Sequence, residues 1–154
     1  MNFSPETFMN AVFNEANDTK IIPCPVGEFP AQILEVTPKS GIISKGDRAG
    51  ETWARLDVSW ETSDHAACAA TGRERVRVRQ GIMLDLTPNG GLDFGPGRNV
   101  QLGRLREAVN LNQPGQPFSP AMFVGRSARI SVAHTLDNRD NVTIQAEVRN
   151  VAPL

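Results

Sequence analysis

Arg73-Glu-Arg-Val-Arg-Val-Arg-Gln-Gly-Ile-Met-Leu-Asp-Leu86 lies in the middle of the chain. Taken two residues at a time it has unlike faces. Val76, Val78, Ile82, Leu84 and Leu86 fall on one side, with Gln80 among them, and Arg73, Arg75, Arg77 and Arg79 fall on the other. Strand side chains alternate between the two faces of a sheet, so this is the pattern of a strand with one apolar face. Glu74 is the only acid between residues 73 and 79. A row of like charges repels itself unless an anion lies on it. Its two-residue repeat of about 6.7 Å is comparable with the phosphate spacing of an extended single strand of nucleic acid. The alternative is a solvated face whose arginines pair across the sheet with Asp57 and Glu61.

The strand before it repeats the design. In Thr52 to Glu61, Ala54, Leu56, Val58 and Trp60 form the face toward a core, and Trp53, Arg55, Asp57 and Ser59 form the other. An indole beside a guanidinium is suited to stacking a base and holding its phosphate. The same indole is equally suited to covering the rim of the core.

Further toward the N-terminus, Glu28 to Thr37 reads as a strand with apolar residues on both parities, as in a curved strand touching core on both faces. Pro38 to Glu51 reads as a polar, glycine-containing loop bearing Lys39, Lys45 and Arg48. Phe3-Ser-Pro-Glu-Thr-Phe8 has the signals of a helix start, and an apolar stripe carries that helix to about Ala16. It either packs on the domain or docks a second copy or another protein. Residues 1–20 form this helical arm, and 21–154 the β domain.

Toward the C-terminus, Ser63 to Gly72 reads as a loop and Val100 to about Leu111 as a helix. Arg126 to Thr135 and Val142 to Val151 read as a hairpin around an Asp/Asn-rich turn, with Val142, Ile144, Ala146 and Val148 inward. The expected fold is mostly β: a five-stranded, OB-fold-like Greek-key barrel with a helix between strands 3 and 4 and an additional N-terminal helix. Such barrels bind oligonucleotides across strands 2 and 3 and close over them with the first and last inter-strand loops. The nucleic-acid-binding candidates are therefore Trp53, Arg55, Arg73, Arg75, Arg77, Arg79, Lys45, Arg48 and Arg129, with Phe94 as a further loop contact.

The chain has 154 residues and a net charge of −1, which argues against an indiscriminate basic binder. Its charge is unevenly placed, with 13 Lys/Arg against 9 Asp/Glu over residues 39–129 and an acidic N-terminal arm. There is no apolar run of membrane-spanning length and no signal-peptide pattern, so a cytoplasmic location, in whatever cell makes the protein, is expected. Cys24 and Cys68 are expected as free thiols. The cysteines and histidines lack metal-ligand spacing, and no nucleotide-binding loop is present. No catalytic residue, cofactor or metal is expected. A small hydrolase using His65 or Cys68 is the weakest alternative.

Four segments carry a resemblance: Gly27-Glu-Phe-Pro-Ala-Gln-Ile33, Leu56-Asp-Val-Ser-Trp-Glu61, Leu102-Gly-Arg-Leu-Arg-Glu-Ala-Val-Asn-Leu111 and Phe123-Val-Gly-Arg-Ser-Ala-Arg-Ile-Ser-Val132. Together they resemble a group of bacteriophage-encoded OB-fold proteins regarded as single-stranded-DNA-binding. The resemblance implies a non-enzymatic protein of phage replication or recombination, indifferent to sequence. It brings no ligand residues with it. Bacterial-type single-strand binders often end in an acidic tail that recruits partners, whereas this chain ends Asn150-Val-Ala-Pro-Leu154. Recruitment of a replication or recombination protein is thus expected through the N-terminal helix, and a homo-oligomer is compatible with it. The rival reading is a phage β-barrel interaction or virion-associated module, without nucleic-acid affinity.

Overall fold

A computed structural model describes residues 2–154. Five strands form a mixed sheet that closes into a ring in the order β1-β2-β3-β5-β4. They are β1 (Gly27–Ile42), β2 (Thr52–Thr62), β3 (Val76–Leu84), β4 (Ser127–Leu136) and β5 (Ile144–Ala152). All neighbours are antiparallel except β3 and β5, which run parallel and meet at the single pair Arg79 and Glu147. Helices α1 (Pro5–Asn10), α2 (His65–Thr71) and α3 (Val100–Ala108) complete the fold, with a 3-10 turn at Pro120–Phe123.

The ring encloses the apolar faces read from the sequence. Val58, Trp60, Val76, Ile82, Ala128 and Ile130 are fully buried, and Leu105 of α3 and Phe123 of the 3-10 turn are buried with them. Within this core the Trp60 Nε1–H donates to Gln80 Oε1 at 2.9 Å. The one polar side chain on the inward face of β3 thus has its partner, as buried polar groups require.

β1 is longer than its sequence pattern suggests, and it continues through Pro38 to Ile42. Pairing with β4 stops at Gln32, so Pro38 lies where β1 pairs only with β2. A strand with an open side tolerates a residue without an N–H. The mixed parity of β1 comes from a bulge between Ile33 and Glu35, not from core on both faces. Ile33 opposes Trp60 on the core side, Glu35 opposes Ser59 on the outer side, and Val36 opposes Val58 back in the core. One extra residue has switched which parity points inward.

Residues 65–71 form a helix where a loop was expected. Asp64 caps it by accepting from the Ala66 N–H, and Gly72 ends it at φ 72°. Alanine has the highest helix propensity, and Gly supplies the left-handed stop. The N-terminal helix is shorter than expected, ending at Asn10 and not Ala16, and none of its residues is buried. Packing on the domain is therefore excluded for it. Val142 and Ile144 are exposed, at 77% and 52%, and not inward. Val142 precedes β5 and Ile144 is its first residue, while the strand reaches the core at Val148.

Candidate nucleic-acid interface

The outer face of β1, β2 and β3 follows from the register. Thr37, Asp57 and Gly81 stand in one row, Lys39, Arg55 and Met83 in the next, and Glu35, Ser59 and Arg79 in the row on the other side. Next to this face lies a groove of about 620 Å³ that extends to the open edge of β5. Arg73, Arg77, Arg79 and Lys39 line it, with Ile144 and Gln145 on the opposite lip. The turn between β4 and β5 therefore borders the groove, as does the segment around Ile21, Pro23 and Cys24.

The arginine row is not uniform. Arg73 and Arg75 precede the strand instead of belonging to it. Arg73 bends back and donates from Nη2 to the Ile22 carbonyl at 2.7 Å. Arg75 and Arg77 share Glu61 at 4.0 and 3.7 Å, with side chains 76% and 69% exposed. Such long, solvated contacts contribute roughly 0–1 kcal/mol and release a cation readily. Arg75 lines a separate depression with Pro30, Gln32 and Leu154 and not the groove itself. Arg79 has no carboxylate within ion-pair distance among the described residues. Its side chain lines the groove beside Arg77 and Arg73, held by no direct ion pair although the Asp57 carboxylate feels its charge.

Asp57 does pair, but with other cations than the row. Lys39 Nζ lies 2.9 Å from Asp57 Oδ2, and Arg55 Nε lies 2.7 Å from Oδ1. Burial pushes the Asp57 carboxyl up. Hydrogen bonds from Lys39 and Arg55, together with the charges of Arg55 and Arg79, outweigh it and hold the group below the ordinary carboxylate range. Glu35 and Glu147 also line the groove, so its floor is studded with acids as well as bases. Sequence reasoning missed Glu35 because the bulge that turns it outward leaves no mark in a period-two pattern.

Trp53 does not line this groove; it stands two residues before Arg55 on β2, and Arg55 too lies outside the lining. Its indole lies flat across Gly41, its register partner on β1. The Arg55 guanidinium stands 5.7 Å from the ring centroid. A Cβ on Gly41 would come within 2.6–2.8 Å of three indole atoms, so glycine is what seats the ring. Gly41→Ala is expected to lift Trp53, shift its emission to the red and cost about 1 kcal/mol, read by fluorescence and thermal melting. The buried Trp60 should be unchanged in the same spectra.

The remaining candidates lie apart. Lys45 is exposed in the β1–β2 loop, and Arg48 there is held by Glu51 at 2.6 Å. Neither lines the groove. Arg129 is on β4, opposite Pro30 and Ala152, on a strand that pairs with neither β2 nor β3. It does not join the site, since the ring carries its face elsewhere. Phe94 is 77% exposed and lines a small depression against α3. The structure thus gathers Arg73, Arg77 and Arg79, adds Lys39, and leaves Trp53 and Arg55 outside the lining, linked to it only through the Arg55–Asp57 contact.

The turn at the groove's end is firmly built. The Asp137 carboxylate accepts from the backbone and guanidinium of Arg139 and from Gln145 Nε2. Asp140 accepts from the N–H groups of Val142 and Thr143 and from the Thr143 hydroxyl. The hydrogen bonds from Thr143 and Val142 hold the Asp140 carboxyl down at about 2, and those from Arg139 hold Asp137 low as well. Both groups are depressed when folded, so the unfolded chain binds more protons at acid pH. Their contribution to stability is full above about pH 4 and is lost as pH falls toward about 2. Melting temperature should drop over that window, and Asp140→Asn, which keeps the acceptor oxygen but cannot titrate, should flatten the drop.

The thiols and His134 are held by backbone contacts and burial. Cys24 and Cys68 are both free. Burial pushes the Cys24 thiol up to about 11, which leaves it protonated at neutral pH and a poor nucleophile. Cys68 Sγ donates to the Glu74 carbonyl, and His134 Nε2 lies 2.7 Å from the Cys24 carbonyl. Among the described residues no three His, Cys, Asp or Glu side chains are grouped to hold a metal ion, and no helix is long and apolar enough to cross a membrane. No protein-family model matches the chain, and no curated protein is similar to it.

Proposed function

We propose that this is a non-enzymatic single-stranded-DNA-binding protein of the OB-fold type, indifferent to base sequence and serving phage replication or recombination. Supporting the fold assignment are five strands in closed order with a helix between the third and fourth, and a groove bounded by the β4–β5 turn. The observation that carries the function is Arg79: a guanidinium in the groove with no carboxylate partner among the described residues, flanked by Arg77 and Arg73. A polyanion supplies what that group lacks, and its phosphates displace the weak Glu61 contacts of Arg77. Trp53, seated on Gly41, offers a face on which a base stacks. Because the groove also holds acids, binding is selective for an extended strand whose phosphates follow the arginines, and it is not general adhesion to nucleic acid.

Titration with oligo-dT at two salt concentrations tests this reading. Trp60 is fully buried, so quenching reports on Trp53, and Trp53→Phe should remove the signal while leaving a mobility shift. Binding should weaken as salt rises. Neither quenching nor a shift at low salt would dispose of the proposal. The rival, a protein-interaction module without nucleic-acid affinity, draws support from the exposed apolar side chains of the N-terminal arm.

A further inference from the structure

The N-terminal arm is the largest feature the groove does not account for. Phe3, Phe8, Met9, Val12 and Phe13 are all exposed, from 49% for Phe8 to 85% for Val12. The three rings pack on one another in sequence, Phe3 on Phe8 at 5.1 Å and Phe8 on Phe13 at 6.0 Å. A contiguous apolar cluster of this kind marks a contact surface. Its charges say for what: residues 2–20 hold Glu6, Glu15 and Asp18 against Lys20 alone. Acids repel phosphates, so the arm is not a second grip on nucleic acid. It is instead complementary to a surface that is cationic and edged with apolar groups.

The molecule itself carries such a surface. The groove presents Arg73, Arg77 and Arg79, and exposed Ile144 lies on its far lip with Val142 beside it. Within one chain the arm could reach that groove with no loss of translational freedom, yet it buries none of its residues there. We infer that the arm of one copy docks in the arginine groove of a second copy, with its phenylalanines against the β5 lip and its acids toward Arg77 and Arg79. The inference shares the groove with the proposed function, so nucleic acid and arm compete for it.

Sedimentation velocity of the full chain, over a range of protein concentration and at two salt concentrations, is the test. The expected result is association that grows with concentration and weakens with salt. Phe8→Ser/Phe13→Ser and Arg77→Glu/Arg79→Glu should each raise the apparent dissociation constant about tenfold or more. Neither pair lies in the core, and unchanged melting temperatures confirm intact folding. Mixing Arg77→Glu/Arg79→Glu with Glu15→Lys/Asp18→Lys should restore association. A monomer at every concentration overturns the inference, as does association that either variant leaves unchanged. Assembly that persists with oligo-dT bound overturns it too. If oligo-dT fails to bind while the variants still abolish association, the inference stands and the nucleic-acid function falls.

Discussion

Arg77→Glu/Arg79→Glu is expected to weaken oligo-dT binding about 100-fold or more at low salt. Each reversal removes an attraction of about 1 kcal/mol and adds a repulsion of similar size, and every 1.4 kcal/mol is a factor of about ten. The slope of log affinity against log salt should become shallower by about 1.4, since each phosphate contact to a single strand contributes about 0.7. The matched control is Arg104→Glu/Arg129→Glu, which alters net charge equally. Arg104 is exposed on α3, and Arg129 is on β4, away from the groove. That variant should lose only the small long-range part of the affinity. Equal losses in the two variants would mean that overall charge, and not the groove, governs binding. Electrophoretic mobility at matched salt separates the outcomes.

Trp60→Ala should be the most destabilising single change. Trp60 is completely buried on β2, and its indole N–H is satisfied by Gln80. Removing a buried Trp or Phe costs about 3–5 kcal/mol in lost contacts and residual cavity. Gln80 is left without its donor partner, which adds to the penalty. In a protein of this size about 1 kcal/mol corresponds to about 2–4 °C, so melting should fall by about 6–20 °C. Trp60→Phe separates the two contributions, because it keeps most of the packing and loses only the hydrogen bond. A drop of only a few degrees for Trp60→Ala would show that the core at β2 and β3 is less tightly packed than it appears.

The sequence announced some of this architecture and hid other parts, for physical reasons. Alternation in β2 and β3 is strict because one face meets core and the other meets water, and Leu56, Val58, Val76, Val78 and Ile82 are buried accordingly. The course of β1 past Pro38 was hidden, since a proline in a strand is legible only once the open side is known. Helix α2 was hidden because five of its seven residues are small, giving no apolar period, although Asp64 and Gly72 marked both its ends. Val142 and Ile144 kept the right parity but lie ahead of Val148, where the strand reaches the core, so parity there does not mean burial. In the site, the strand arginines Arg77 and Arg79 were legible from spacing. Arg75, Lys45, Arg48 and Arg129 were sorted out of the groove only by the turn at the start of β3 and by the order of strands around the ring.

The single pair joining β3 to β5 also has a bearing on motion. Every other seam of the sheet is a ladder of several residues, so this is where the wall parts first when the protein breathes. Amide exchange should be quickest along the first half of β5 and at Arg79. A ligand lying across that gap acts as a splint: it spans the weakest joint and ties two lips that the backbone alone barely holds. Occupancy should therefore slow exchange along β5 well beyond the residues the ligand touches.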